Sequence, residues 1–302
     1  MSQKPASGVE NYLYTSSVDL TTLAKPIQRP DIQGVQVLYR WKMLEPSEGQ
    51  YDFSQITKDL QYLQSRHKKL FIQVQDRSFS PTPQGIPQYL MTDPAYDGGA
   101  APQYDDSGKV VGWVAEQWVP AVSNRFQALL SALSKSLDGK VAGVNLPETS
   151  VTVNPAQEQA RSGYTCDKHV DSVINNMVFA RSVFKQSQVV QYVNFWCGSD
   201  EASNEYLSRT FATAQKDGIG LGGPDVVPWK PYAMNHSAYP HFNQNKGKLS
   251  LVAMAVQEPD LQYIDPKTGK LCTKEDFTRF ATDYLGANVI FWATSAPWLQ
   301  QS

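Results

Sequence analysis

Short apolar runs rich in β-branched residues alternate along the chain with longer stretches whose apolar residues recur at helical spacing. The first run, Asn11 to Tyr14, precedes a short helical stretch over 19–24, with Ser17 or Asp19 as its cap. Val35 to Trp41 predicts a second strand, followed by a helix over 54–64, and Leu70 to Val74 predicts a third. Phe126, Leu129, Leu130 and Leu133 then share one face of a helix over 121–137. Further strands are predicted at Val141 to Leu146, Val189 to Trp196, Ile219 to Leu221, Leu249 to Val256 and Ala287 to Thr294. Helices over 171–184, 201–215 and 274–284 separate most of them.

Eight strands alternating with helices predict an α/β protein with a parallel sheet, and the count fits a closed barrel. The expectation is a single (β/α)8 TIM barrel over residues 1–302 with a long loop after strand three. One barrel of this kind takes roughly 250 residues or more. The segment 77–119 is too long for an ordinary connection and reads as irregular, rich in Pro, Gly and Asp. Loops after barrel strands lie on the face where sites are built, so this segment is expected to form one wall of a cleft.

Charge narrows the choice of partner. With 27 basic and 29 acidic residues the net charge is -2, and no basic stripe offers a nucleic-acid surface. No run of about 18 apolar residues predicts a membrane span. Residues 2–8 are polar, without the apolar stretch of a signal peptide, so the compartment and the oligomeric state stay open. Three cysteines at wide spacing are not a disulfide framework, although one pair can form and leave one thiol free. The four histidines are scattered, so no metal or other cofactor is expected.

Residues that follow barrel strands carry the candidate chemistry. Arg40 and Trp41 follow strand two, Gln75 and Asp76 strand three, and Glu148 strand four, with Asn145 just before it. Asn194 and Trp196 end strand five; Asp225, Trp229 and His236 follow strand six; Gln257 and Glu258 follow strand seven; Trp292 and Trp298 belong to strand eight and its end. Two glutamates at one rim suit the hydrolysis of an acetal. One protonates the leaving oxygen, and the other attacks the sugar carbon or activates water. Flat aromatic side chains pack on sugar rings and Arg, Asn, Gln and His bind hydroxyls. Trp41, Trp196, Trp229 and Trp292 are therefore expected as stacking platforms, with Arg40, Asn145, Asn194, His236 and Gln257 as polar contacts. A metal-assisted hydrolase using Asp76, Asp225 and His236 is the alternative enzyme on the same barrel.

The stretch from Gln36 to Phe53 resembles strand two and its loop in clan A glycoside hydrolases such as the family 42 β-galactosidases. It carries the pair Arg40 and Trp41, then Leu44, Glu45 and Pro46, then Glu48, Gly49, Tyr51, Asp52 and Phe53. Lys69 to Val74 is similar to that family's third strand. About 40 residues carry the resemblance; the rest of the barrel matches by element order. It implies a retaining glycosidase acting on a poly- or oligosaccharide, with Glu148 as acid/base, Glu258 as nucleophile and Trp292 under the sugar. Pro147 departs from the pattern, which has Asn directly before the acid/base glutamate. On that departure rests the remaining expectation, a barrel that binds glycans without cleaving them.

Overall fold

A computed structural model describes residues 8–300. Eight parallel strands close into a barrel: β1 (Glu10–Thr15), β2 (Gly34–Arg40), β3 (Lys69–Gln75), β4 (Gly143–Leu146), β5 (Gln188–Tyr192), β6 (Gly220–Gly223), β7 (Val252–Val256) and β8 (Val289–Ala293). Neighbours in sequence are neighbours in the barrel, and β8 pairs with β1 from Glu10 opposite Val289 to Tyr14 opposite Ala293. The (β/α)8 architecture read from the alternation of elements is the one observed.

Side chains alternate between the two faces of each strand. Leu13, Val35, Val37, Ile72, Val74, Val144 and Ile290 join the apolar layer between barrel and helices. Tyr12, Phe71, Val190, Tyr192, Ala253, Ala255, Val289 and Phe291 form a separate cluster inside the barrel. Tyr12, Phe71 and Phe291 meet edge to face there, with ring centroids 5.2–5.8 Å apart. Gly34 makes room for them, since a Cβ there would lie 2.7 Å from the Tyr12 ring. The wide rings close the bottom of the barrel. Higher up, the inward positions are Gln36, Gln73 and Asn145, and Gln36 donates to the Tyr192 hydroxyl at 2.8 Å.

The principal helices are α1 (Ser54–Gln64), α2 (Pro120–Leu137), α3 (Cys166–Val183) and α4 (Asp200–Asp217). α3 starts at Cys166, five residues upstream of the predicted start at 171, where Thr165 caps it by accepting from Lys168 N, and a separate helix, Pro155–Ser162, precedes it. The expected first helix is a 3-10 turn, Leu20–Leu23, capped by Asp19 and continued by Ala24–Ile27.

The segment after β3 departs from the expected irregular loop. Arg77–Ser78, Ala100–Tyr104 and Val110–Ala115 form a three-stranded antiparallel sheet. Its hairpin turns at 105–109, where the Asp105 carboxylate accepts from Ser107 N and Lys109 N and Gly108 takes a φ of 79°. A disulfide joins Cys166 at the start of α3 to Cys197 beyond β5, and Cys272 is a buried free thiol. The pairing fits the cysteine count, which allowed one bridge and one free thiol.

Candidate active site

A cavity of about 480 Å³ opens at the C-terminal end of the barrel. Its lining includes Tyr14, Arg40, Gln73, Gln75, Arg77, Phe79, Glu148, Tyr192, Asp225 and Gln257. The inward positions of β1, β2, β3 and β5 thus supply Tyr14, Arg40, Gln73, Gln75 and Tyr192. The loops after β4, β6 and β7 supply Glu148, Asp225 and Gln257.

Glu148 is held from three directions. Asn194 Nδ2 donates to its Oε2 at 2.7 Å. Arg77 lies 3.5 Å from Oε1 and also donates to the main-chain oxygens of Glu148 and Ser150, at 2.9 and 2.7 Å. Arg77 is itself fixed by Asp76 at 2.9 Å, and Asp76 accepts from Gln117 Nε2 at 2.6 Å. Asn194 is oriented in turn, because its Oδ1 accepts from the Thr149 hydroxyl at 3.0 Å and from Ser150 N at 3.1 Å. His169 anchors the same loop from behind, 3.0 Å from the Thr149 carbonyl oxygen. Burial pulls its pKa down to about 4, so the ring is neutral and the nitrogen facing that carbonyl carries the proton.

Burial raises the pKa of Glu148, and the charge of Asp225 adds to the rise; Arg77 and the Asn194 hydrogen bond pull it back. Desolvation by the wall behind it also pushes Asp225 up, although its residue is accessible from the cavity, and Lys230 opposes that shift. Asp260 is buried below, where its Oδ2 accepts from Val226 N and Gln257 N. Burial and the charge of Asp225 push the Asp260 carboxyl up to about 8. Tyr14 is pushed up to about 12 by burial, by Glu258 and, more weakly, by Glu148, with Arg40 acting the other way.

The structure brings together Glu148, Arg40, Asn194 and Gln257 of the expected site residues. Arg40 and Gln257 face the cavity directly, Gln257 donating to the Pro224 carbonyl oxygen at 2.7 Å, while Asn194 acts on Glu148. Glu258 is exposed at the rim; the cavity position at the end of β7 belongs to Gln257. Asn145 is fully buried in the barrel next to Tyr192 and does not reach the cavity surface.

The tryptophans expected as stacking platforms stand elsewhere. Trp41 is fully buried on the outer face of the barrel, with its Nε1 donating to Glu45 at 2.8 Å. Arg40 points inward, so its neighbour must point outward. The same alternation turns Trp292 away from the cavity: Phe291 is inward, and Trp292 packs on Phe277 and Trp298 and donates to Asn11. Trp196 is buried against His169 and donates to Thr210. Trp229 packs on Phe280 and Tyr284 beside a separate surface hollow, with the Lys267 ammonium 3.1 Å from its ring centroid. His236 is exposed and pairs with Asp200 at 3.1 Å.

The metal-assisted alternative loses its ligand set on the same grounds. Asp76 is taken by Arg77 and Gln117, and His236 lies with Asp200, away from Asp225. Among the described residues no three His, Cys, Asp or Glu side chains come together as a metal site. Tyr14, Arg77, Tyr192 and His169 were not anticipated as site residues. Strand alternation alone marks Tyr14 as inward, two residues after Tyr12.

No protein-family model matches the chain, and no curated protein matches it in sequence. Solved structures do match it in fold. The catalytic domain of β-amylase from Paenibacillus polymyxa aligns with a TM-score of 0.60 and 9% identity, over 95% of this chain and 93% of that one. Endo-glycoceramidase II from Rhodococcus sp., in a cellobiose-like imidazole complex, aligns with a TM-score of 0.52 and 13% identity, over 95% of this chain and 73% of that one. The same enzyme with a five-membered iminocyclitol gives 0.51 and 12%, over 97% and 76%. At 9–13% identity these matches show a shared (β/α)8 barrel fold.

Proposed function

We propose that this protein hydrolyses glycosidic bonds of a poly- or oligosaccharide, with Glu148 as the general acid. The observation that carries the reading is Glu148 itself. It is a carboxyl with a raised pKa, fixed by Asn194 and Arg77, in a polar cavity at the functional end of a barrel. A raised pKa keeps a carboxyl protonated toward neutral pH, as protonation of a leaving oxygen requires. The fold it shares with β-amylase and endo-glycoceramidase supports the same reaction class.

Acetal cleavage also needs an ionised carboxylate to attack the sugar carbon or to take a proton from the attacking water. Asp225 is assigned this role, since it lines the same cavity as Glu148. Glu148 gives its proton to the leaving oxygen as the C–O bond breaks, while a water forms the new C–O bond at the sugar carbon and gives a proton to Asp225. A second reading keeps the retaining two-glutamate form with Glu258 as nucleophile. Its support is Tyr14, whose hydroxyl feels the charges of both Glu258 and Glu148.

The test is release of reducing sugar from a panel of oligosaccharides by the wild type, Glu148→Gln, Asp225→Asn and Glu258→Gln. Product from the wild type, lost in Glu148→Gln and Asp225→Asn, supports the proposal. Loss in Glu258→Gln with Asp225→Asn active transfers the second role to Glu258, and undiminished turnover by Glu148→Gln overturns the reading.

A further inference from the structure

The sequence has nine arginines. Arg29, Arg77, Arg125, Arg161, Arg209 and Arg279 are in ion pairs with carboxylates, and Arg66 and Arg181 donate to main-chain oxygens. Arg40 is the exception. Among the described residues its guanidinium makes no ion pair and no hydrogen bond, yet it ends β2 on the inward face and borders the cavity. Five N–H donors that hold a fixed positive charge are left facing an open site.

The surroundings of Arg40 differ from those of Glu148. Past Arg40, Ser16, Leu38 and Gln84, the cavity continues into a groove of about 230 Å³. Glu148 and Asp225 line the cavity, but among the described residues no Asp or Glu lines the groove. Its charged side chains are Arg40 and Lys42, and among the described residues the Lys42 ammonium also has no hydrogen-bond or ion-pair partner. Ser16, Ser17, Gln55 and Gln84 supply hydroxyl and amide groups beside them. Such a hollow is positive, hydrogen-bonding and joined to the acid's own cavity, and a neutral sugar would leave its cations unanswered.

We infer that the groove beside Arg40 and Lys42 binds an anionic group of the substrate, so that the glycan is an acidic one bearing ring carboxylates or sulfate esters. The inference rests on the proposed glycosidase reading and specifies its substrate class. The Arg40 fork takes two oxygens of the anion and Lys42 meets it as a point charge. Either anion has the oxygen geometry that the fork recognises, and binding separates the two sources.

The test is titration calorimetry on the Glu148→Gln protein, which keeps the ligand intact. Two matched pairs are titrated: an oligogalacturonate against its methyl ester, and a sulfated galactan oligomer against its desulfated form. In one pair the charged member is expected to bind at least about tenfold more tightly than the neutral one, a preference that weakens with added salt. The pair that shows the preference identifies carboxylate or sulfate. Arg40→Gln abolishes it, and Arg40→Lys restores part of it. Absence of a charge preference in both pairs overturns the inference, as does a preference that survives in the Arg40→Gln, Lys42→Gln double variant. Failure of the glycosidase reading looks different, because wild-type protein would then bind the charged oligomer and release no reducing sugar.

Discussion

The ends of β4 and β7 each present one glutamate, expected as acid/base and as nucleophile, and they are built differently. At β4, Glu148 stands on a stack of partners in which Asp76 fixes Arg77, Arg77 and Asn194 fix the carboxyl, and Thr149 and His169 fix the loop. At β7, Glu258 is exposed, and the buried effort goes into Asp260, which ties the β6 and β7 ends together through Val226 N and Gln257 N. A catalytic group needs neighbours that hold it within a fraction of an ångström of its working geometry. By that measure the β4 end is built to hold a carboxyl in place, and the β7 end is built to tie two loops together.

Breaking the β4 end should have the largest effect. Glu148→Gln is expected to lower kcat on a natural glycan by about a thousandfold, within the roughly 10²- to 10⁴-fold range of general acid–base catalysis, in a steady-state assay. Asp225→Asn follows at about a hundredfold or more, whereas Glu258→Gln is expected to cost less than about tenfold. The reverse order would restore the symmetry of the two glutamates. Asn194→Ala tests the support instead of the acid, with an expected loss of about ten- to a hundredfold in kcat. The Asn194 hydrogen bond holds the Glu148 pKa down, so its removal moves the alkaline limb of the pH–rate profile upward. An unmoved limb would mean that Asn194 does not act on the acid.

The smallest effect lies in stability. The folded-state pKa of Asp260, about 8, stands above its unfolded value of roughly 3.9, so the native state holds the extra proton between them. Stability from this group is fully present below the lower value and is lost as pH rises through the higher one. Asn at 260 keeps an oxygen for the two N–H groups and never ionises. The difference in Tm between Asp260→Asn and the wild type should therefore move in the variant's favour from pH 5 to pH 9. A difference that stays constant with pH would remove the proton from Asp260.

The barrel was legible because each strand announces itself by a β-branched run and each main helix by its apolar spacing. The small sheet after β3 was not, since Arg77–Ser78 is too short to show a period and Pro102 interrupts the run from Ala100 to Tyr104. Glu148 and Arg40, which line the cavity, stand out in the sequence because a charge at the end of an apolar strand is costly without a purpose. The tryptophans misled because aromatic content was read without parity. A residue one step from an inward position faces the helices, so Arg40 excludes Trp41 and Phe291 excludes Trp292. The same rule separates Gln257, two steps from Ala255, from Glu258. The support around Glu148 was hidden for another reason: Arg77, Asn194 and His169 come from three separate elements, and only the closed barrel brings them together.

The most direct test of Glu148 as the acid compares leaving groups. Glycosides of one sugar, with aglycones ranging from an alkyl alcohol to a dinitrophenol, are assayed with the wild type and Glu148→Gln. Glu148→Gln is expected to lose the alkyl glycoside by about a thousandfold and to keep most of its rate on the dinitrophenyl glycoside, whose leaving oxygen needs no proton. Equal loss across the series would contradict it and would make Glu148 a residue that shapes the cavity without donating the proton.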